Sequence, residues 1–321
     1  VLSVNELAQD IVEEMLDYSD EYREQYGIEF QRLKNGAWVI DFGVNVKGSI
    51  SAGILFSEVC MAGLAEVNVK TGSVGNLVVP FVEVRTDNPV LACLASQKAG
   101  WQIKIDNYFA MGSGPARALA LKPKKTYELI DYEDDAEYAV ITLESDLLPD
   151  ERVVDYIAEE CDVESEDVYV LVAPTSSLVG SIQISARIVE VAMYRLLQLG
   201  FDVKKIFSGC GNAPVAPLSG DSLKAMGMTN DCLLYYGSAF LFSEFDESEM
   251  DMIDKANLTS DSSKDYGKPF YEVFKDSNYN FYEIDPNLFS PARITISSPV
   301  KLISKGRLNV EVLLKSFGVI S

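Results

Sequence analysis

Apolar residues recur along this chain with two periods, one helical and one alternating. Leu7, Ile11, Val12, Met15 and Leu16 repeat at helical spacing behind Ser3 and Glu6, which have the separation of a capping box. A helix is therefore expected over residues 4–18. Strands are expected over 37–42, 77–86, 101–109, 138–143, 168–172, 202–207 and 294–297, where β-branched and aromatic residues dominate. Helices are expected over 56–64, 91–99, 150–161 and 271–275. A longer one should follow the polar turn Ala173-Pro-Thr-Ser-Ser177 and run to about Leu199. Gly43, Gly48 and Gly53 punctuate the approach to the second helix, and Pro214, Pro217 and Gly220 mark a loop. The acidic run 244–254 reads as an exposed helix or a mobile edge. No fixed-period repeat is present. Strands and helices mingle without strict β-α-β order, so the expected class is α+β. A boundary is expected near Lys125, where basic residues give way to acidic ones, dividing the chain into 1–125 and 126–321.

Composition narrows the function. The 321 residues carry 49 acidic and 27 basic side chains, a formal net charge of −22. Nucleic acid and anionic lipid are both bound through excess Lys and Arg, so neither is an expected partner. Histidine is absent. Imidazole catalysis, His-ligated metal and Ser-His-Asp chemistry are thereby excluded, and acid–base work falls to carboxylate, Lys, Tyr or Cys. Five dispersed cysteines form no C-x-x-C pair, which argues against a metal site or disulfide framework and for a reducing cytoplasm. No apolar run approaches the roughly 18 residues of a membrane span, and the first residues lack the pattern of a signal peptide.

The sharpest constellation lies on the long helix. At about 100° per residue, Gln183, Arg187, Glu190 and Tyr194 fall within about 60° of one another. Ile182, Ile184, Ile188, Val191, Ala192 and Leu196 fill the rest of the cylinder. So narrow a polar stripe suits a cleft or interface better than open solvent. Its plain reading is a surface Arg–Glu pair; its functional one is a carboxylate base steered by a guanidinium. The turn holding Thr175, Ser176 and Ser177 gathers hydroxyls and free N–H groups ahead of a helix, either as ordinary capping or as a ligand site. Gly112-Ser113-Gly114-Pro115 is a second tight loop without the spacing of a phosphate-binding loop. Arg117, Lys122, Lys124 and Lys125 are the one dense basic cluster, serving either charge balance or an anionic ligand tail. Lys98 is a lone cation beside Gly100-Trp101.

These segments carry a resemblance. Ser96-Gln-Lys-Ala-Gly-Trp101, Gly112-Ser-Gly-Pro-Ala-Arg-Ala-Leu-Ala120, Val172-Ala-Pro-Thr-Ser-Ser177 and Gly180-Ser-Ile-Gln-Ile-Ser-Ala-Arg-Ile-Val-Glu190 occur in that order. Met226-Gly-Met-Thr-Asn-Asp231, Tyr266-Gly-Lys-Pro-Phe-Tyr271 and Lys315-Ser-Phe-Gly318 follow. Over nearly the whole chain the sequence resembles the methenyltetrahydromethanopterin cyclohydrolase family of methanogenic archaea. The resemblance implies reversible hydrolysis of a methenyl bridge to a formyl group on tetrahydromethanopterin. Arg187 and Glu190 match the family's catalytic pair, and no metal or tightly bound cofactor is implied. It also implies two tightly associated α/β parts with a pocket between them, and a homo-oligomer, typically a trimer. Lys98, Ser113, Gly114, Pro115, Arg117, Thr175, Ser176, Ser177 and Gln183 become candidates for holding the pterin or its anionic tail. The alternatives are a pterin-binding protein without turnover and a formyl-transferring relative.

Overall fold

The computed structural model describes residues 2–320, an α+β chain that divides into two compact units. The first takes the residues up to Glu66 together with Val90–Gln183; the second takes Val67–Pro89 and everything from Ile184 onward. The boundary expected near Lys125 is not where they separate, since Lys124–Ile130 is a helix inside the first unit. Strands run in chain order as β1 (Glu29–Arg32), β2 (Trp38–Asp41), β3 (Glu66–Val74), β4 (Leu77–Thr86), β5 (Trp101–Ile105) and β6 (Tyr108–Ser113). They continue as β7 (Ala139–Glu144), β8 (Val168–Ala173), β9 (Ile206–Pro214), β10 (Ser238–Ser243), β11 (Arg293–Ser297) and β12 (Leu302–Gly306).

The sheet of the first unit has the order β1-β2-β8-β7-β6-β5. Its centre, β2, β8 and β7, is parallel, and β1, β6 and β5 are antiparallel to their neighbours. All of Val168–Ala173 is buried, as expected of a parallel strand covered on both faces. Val153, Val154 and Ile157 of helix Glu151–Cys161 join Ile103, Ile141, Val170 and Val172 in one core. Asp150 caps that helix by accepting from Val153 N. The helix expected at the start is Val4–Asp17, with the Ser3 side chain accepting from Glu6 N at 3.1 Å. The strand expected over 101–109 is instead the hairpin β5–β6, turned at Asp106 and Asn107, and the helix expected over 91–99 is a π-helix, Val90–Gln97.

In the second unit the order is β12-β11-β10-β9-β4-β3. Only β10 and β11 pair in parallel among the described registers. Helices Ser222–Tyr236, Phe270–Asp276 and Val310–Ser316 build its second core around Cys232, Tyr235, Phe270, Phe274 and Leu313. The acidic run becomes helix Glu247–Lys255, closed by a capping box in which Asp246 and Glu249 exchange side-chain-to-backbone bonds at 2.9 Å. Lys301 and Lys305 hold its Asp251 and Asp254, so it is anchored. No helix among the described residues is long and apolar enough to cross a membrane.

Candidate active site

Parallel strands end together, and their carboxyl ends in the first unit bring polar groups together. Asp41 ends β2 and is buried; its carboxylate accepts the N–H groups of Gly43, Val44 and Asn45 at 2.8, 2.6 and 2.8 Å. That grip folds the glycine-rich segment back on itself. Glu144 ends β7, opposite Ala173 at the end of β8. The hydroxyl of Thr175 donates to one Glu144 oxygen and the amide of Gln183 to the other at 3.1 Å. Ser177 shapes the intervening turn by donating to Pro174 O at 2.7 Å and accepting Gly180 N at 2.9 Å. A Cβ on Gly180 would lie 1.9 Å from Pro174 O, so only glycine lets the helix Leu178–Ser185 start this close to the strand end. The carboxyl edge of parallel strands is where ligands meet α/β sheets, and here it offers a carboxylate that accepts from two neutral donors. Sequence reasoning missed Glu144. Its signal was an acidic residue closing an otherwise apolar strand, Ala139-Val-Ile-Thr-Leu-Glu144.

The Gly112–Pro115 loop follows the next strand of the same sheet. Ser113 pairs with Thr142, two residues nearer the amino end of β7, while Met111 is opposite Glu144. Gly114, at φ 92°, donates to Ser96 O at 2.8 Å, and Pro115 O accepts from the Asn5 amide at 2.9 Å. Lys98 is largely buried, with its ammonium donating to Ala99 O at 3.0 Å. Arg117, expected at an anionic tail, is fully buried, and its guanidinium donates to the main-chain carbonyls of Leu94, Ser96 and Lys122. The basic cluster disperses as well. Lys122 pairs with Glu160 at 2.6 Å and Lys124 with Glu128 at 3.9 Å, which is charge balance.

Arg187 and Glu190 lie in the second unit. The helix expected to run unbroken to Leu199 stops at Ser185 and restarts at Ile188. Arg187 N bonds to Ile184 O, three residues back, at 3.0 Å, and the Ser185 hydroxyl turns aside to Pro214 O at 2.7 Å. The helical run from Gln183 to Tyr194 is therefore interrupted at Ala186 and Arg187. Arg187 becomes the N-cap residue of helix Ile188–Gln198 and Glu190 lies in its first turn. A carboxylate there is favoured by the helix dipole. Both side chains are nearly enclosed, at 9 % and 6 % exposure, which rules out an ordinary solvated pair. The same helix is seated on glycines of β9. A Cβ on Gly211 would lie 2.9 Å from Ile188 Cγ2, and one on Gly209 3.2 Å from Val189 Cγ1. Two bare positions on one face of the strand thus set the depth of the turn that carries Glu190.

These elements belong to a known class of enzyme: the chain is a member of the cyclohydrolase (MCH) family, whose model matches residues 3–317. Among its relatives, the methenyltetrahydromethanopterin cyclohydrolase of Methanoculleus marisnigri is 51% identical, with all of both chains covered. That of Methanocella arvoryzae is 51% identical and that of Methanosarcina barkeri 47%, each over 99% of both chains.

Proposed function

We propose that this cyclohydrolase hydrolyses the methenyl bridge of methenyltetrahydromethanopterin, reversibly, to formyltetrahydromethanopterin. Glu190 serves as general base and then acid, and Arg187 orients it. The observation that carries the reading is a carboxylate and a guanidinium enclosed together at the start of one helix, in a chain without histidine. Membership of the family and the names of the relatives supply the substrate class.

The bridge carbon sits between two nitrogens in a cation that is already electrophilic, so water needs aiming and deprotonation more than further activation. Water adds its oxygen to that carbon as Glu190 takes a proton, and the carboxylate also stabilises the cation that water approaches. The carbon–nitrogen bond then breaks as the new hydroxyl becomes a carbonyl. The departing nitrogen takes up a proton from Glu190, and one proton is released overall. Arg187 steadies the formyl oxygen as it develops. Thr175, Ser176, Ser177 and Gln183, with Glu144, offer the donors and acceptors that a flat pterin edge requires. Ser113, Gly114, Pro115 and Lys98 are assigned to the rest of the substrate. The enzyme works in the cytoplasm as a homo-oligomer, a trimer, without a tightly bound cofactor.

The near-ultraviolet absorbance of the methenyl substrate fades as the bridge opens, giving a direct assay. Glu190→Gln should keep KM within a few-fold while kcat drops about 10²-fold or more. A Glu190→Gln enzyme turning over at the wild-type rate removes Glu190 from the mechanism.

A further inference from the structure

We propose that Arg117 is a positioning residue for Lys98, acting by closing the carboxyl end of the π-helix Val90–Gln97; the inference rests on the substrate-holding role given to Lys98 above. The last carbonyls of any helix have no following turn to accept from. Here the final i→i−5 bond runs from Lys98 N to Cys93 O at 2.8 Å, which leaves the carbonyls of Leu94, Ala95 and Ser96 facing outward. Three groups from one short stretch of chain take them. Arg117 Nη1 donates to Leu94 O at 3.4 Å and Ser96 O at 3.0 Å, and the Tyr127 hydroxyl donates to Ala95 O at 2.7 Å. Gly114 N adds a second bond to Ser96 O at 2.8 Å.

The charge balance explains why an arginine does this. Its side chain is fully buried, its hydrogen-bond partners are all carbonyls, and its Cζ lies 5.5 Å from the Tyr127 ring centroid. A buried cation is costly unless something answers its charge. The partial negative charge of a helix carboxyl end, with a π-face beside it, supplies that answer. Arg117 Nε also donates to Lys122 O at 2.8 Å, so one planar fork bridges two segments. The chain that follows the π-helix lies against the same guanidinium. A Cβ on Gly100 would be 3.3 Å from Arg117 Nε and Nη2. Lys98 lies between the capped carbonyls and that contact, so Arg117 borders the chain on both sides of it. The segments Ser96–Trp101 and Gly112–Ala120 are then two halves of one device, the second fixing the backbone from which the first presents Lys98.

A lysine keeps the charge at position 117 but lacks the fork. Arg117→Lys should raise KM roughly tenfold with kcat within about twofold, as expected when a neighbour holding a binding group is loosened. In a Lys98→Met background the same change should raise KM by less than about twofold, because the group being positioned is gone. Amide hydrogen exchange across residues 90–99 should quicken in Arg117→Lys. An unchanged KM, an equal rise in KM in both backgrounds, or unaltered exchange across 90–99 overturns the inference. If Arg117→Lys does not fold, Tyr127→Phe removes the hydroxyl bond to Ala95 O and is read through the same cycle, with the same results for and against. Wild-type protein that leaves the methenyl absorbance unchanged refutes the proposed function separately, and the exchange measurement still decides the capping claim.

Discussion

A carboxyl group cut off from water resists ionisation, and Asp231 is fully enclosed in the second unit. Burial pushes its pKa up to about 8, against hydrogen bonds that favour the charged form. Its two oxygens accept Phe270 N at 2.9 and 3.1 Å, and one of them also meets the Ser316 hydroxyl. Three of the segments that carry the family resemblance thus converge on one carboxyl: Met226–Asp231, Tyr266–Tyr271 and Lys315–Gly318. The folded state holds this proton more tightly than the unfolded chain does. The contribution to stability is therefore complete at pH values below the ordinary carboxyl range and is lost as pH rises from there through about 8. Asp231→Asn keeps the shape and an oxygen for Phe270 N while removing the titration. Its denaturation midpoint should fall less steeply than wild type between about pH 5 and pH 8. Parallel slopes for the two proteins would contradict the assignment.

At the scale of elements, the seat of helix Ile188–Gln198 on β9 makes a graded prediction. An added methyl at Gly209 meets Leu241 Cδ2 at 2.9 Å and Val189 Cγ1 at 3.2 Å, both ends of side chains that can shift. At Gly211 it meets the backbone oxygen of Ser238 at 2.8 Å as well as Ile188. Overpacking of this kind costs about 1–3 kcal/mol, and the backbone clash leaves less room for relief. Gly211→Ala should lower both Tm and kcat more than Gly209→Ala; equal or reversed effects would mean that the seat does not set the position of Glu190. The same glycines explain what the sequence concealed. Ile206-Phe-Ser-Gly-Cys-Gly-Asn-Ala-Pro214 lacks apolar alternation because its helix-facing positions had to be bare, so the expected strand stopped at Phe207. Strand β3 was missed because Glu66, Asn68, Lys70 and Thr71 of this edge strand are exposed. The break at Ala186–Arg187 left no trace in periodicity, since residues on every side of that helix are buried and apolar character no longer distinguishes its faces. The three-residue spacing of Arg187 and Glu190 can be read directly from the sequence, whereas Glu144 depended on a strand end and a turn meeting from 31 residues apart.

At the scale of the whole chain, the division into units depends on long-range pairing. Segment 67–89 joins the second unit because β4 pairs with β9, more than a hundred residues later, and no local composition shift marks that. What composition does determine is the net charge of −22, and from it a response to salt. Like charges in excess repel one another in the compact state, and added electrolyte screens them over a Debye length of about 10 Å at 0.1 M and about 3 Å at 1 M. The opposing effect is the weakening of exposed ion pairs such as Arg23–Asp20, Arg152–Asp106 and Lys268–Asp276. Each such pair is worth about 0–1 kcal/mol, and chain entropy already takes part of that. With nearly twice as many acidic as basic side chains, unpaired carboxylates outnumber what those pairs can offset, so relief of repulsion should dominate. Tm measured by calorimetry should rise by about 5 °C from about 0.1 M to about 1 M KCl, most of it in the first few tenths molar where screening changes fastest. A Tm that falls with KCl would show that the ion pairs outweigh the repulsion.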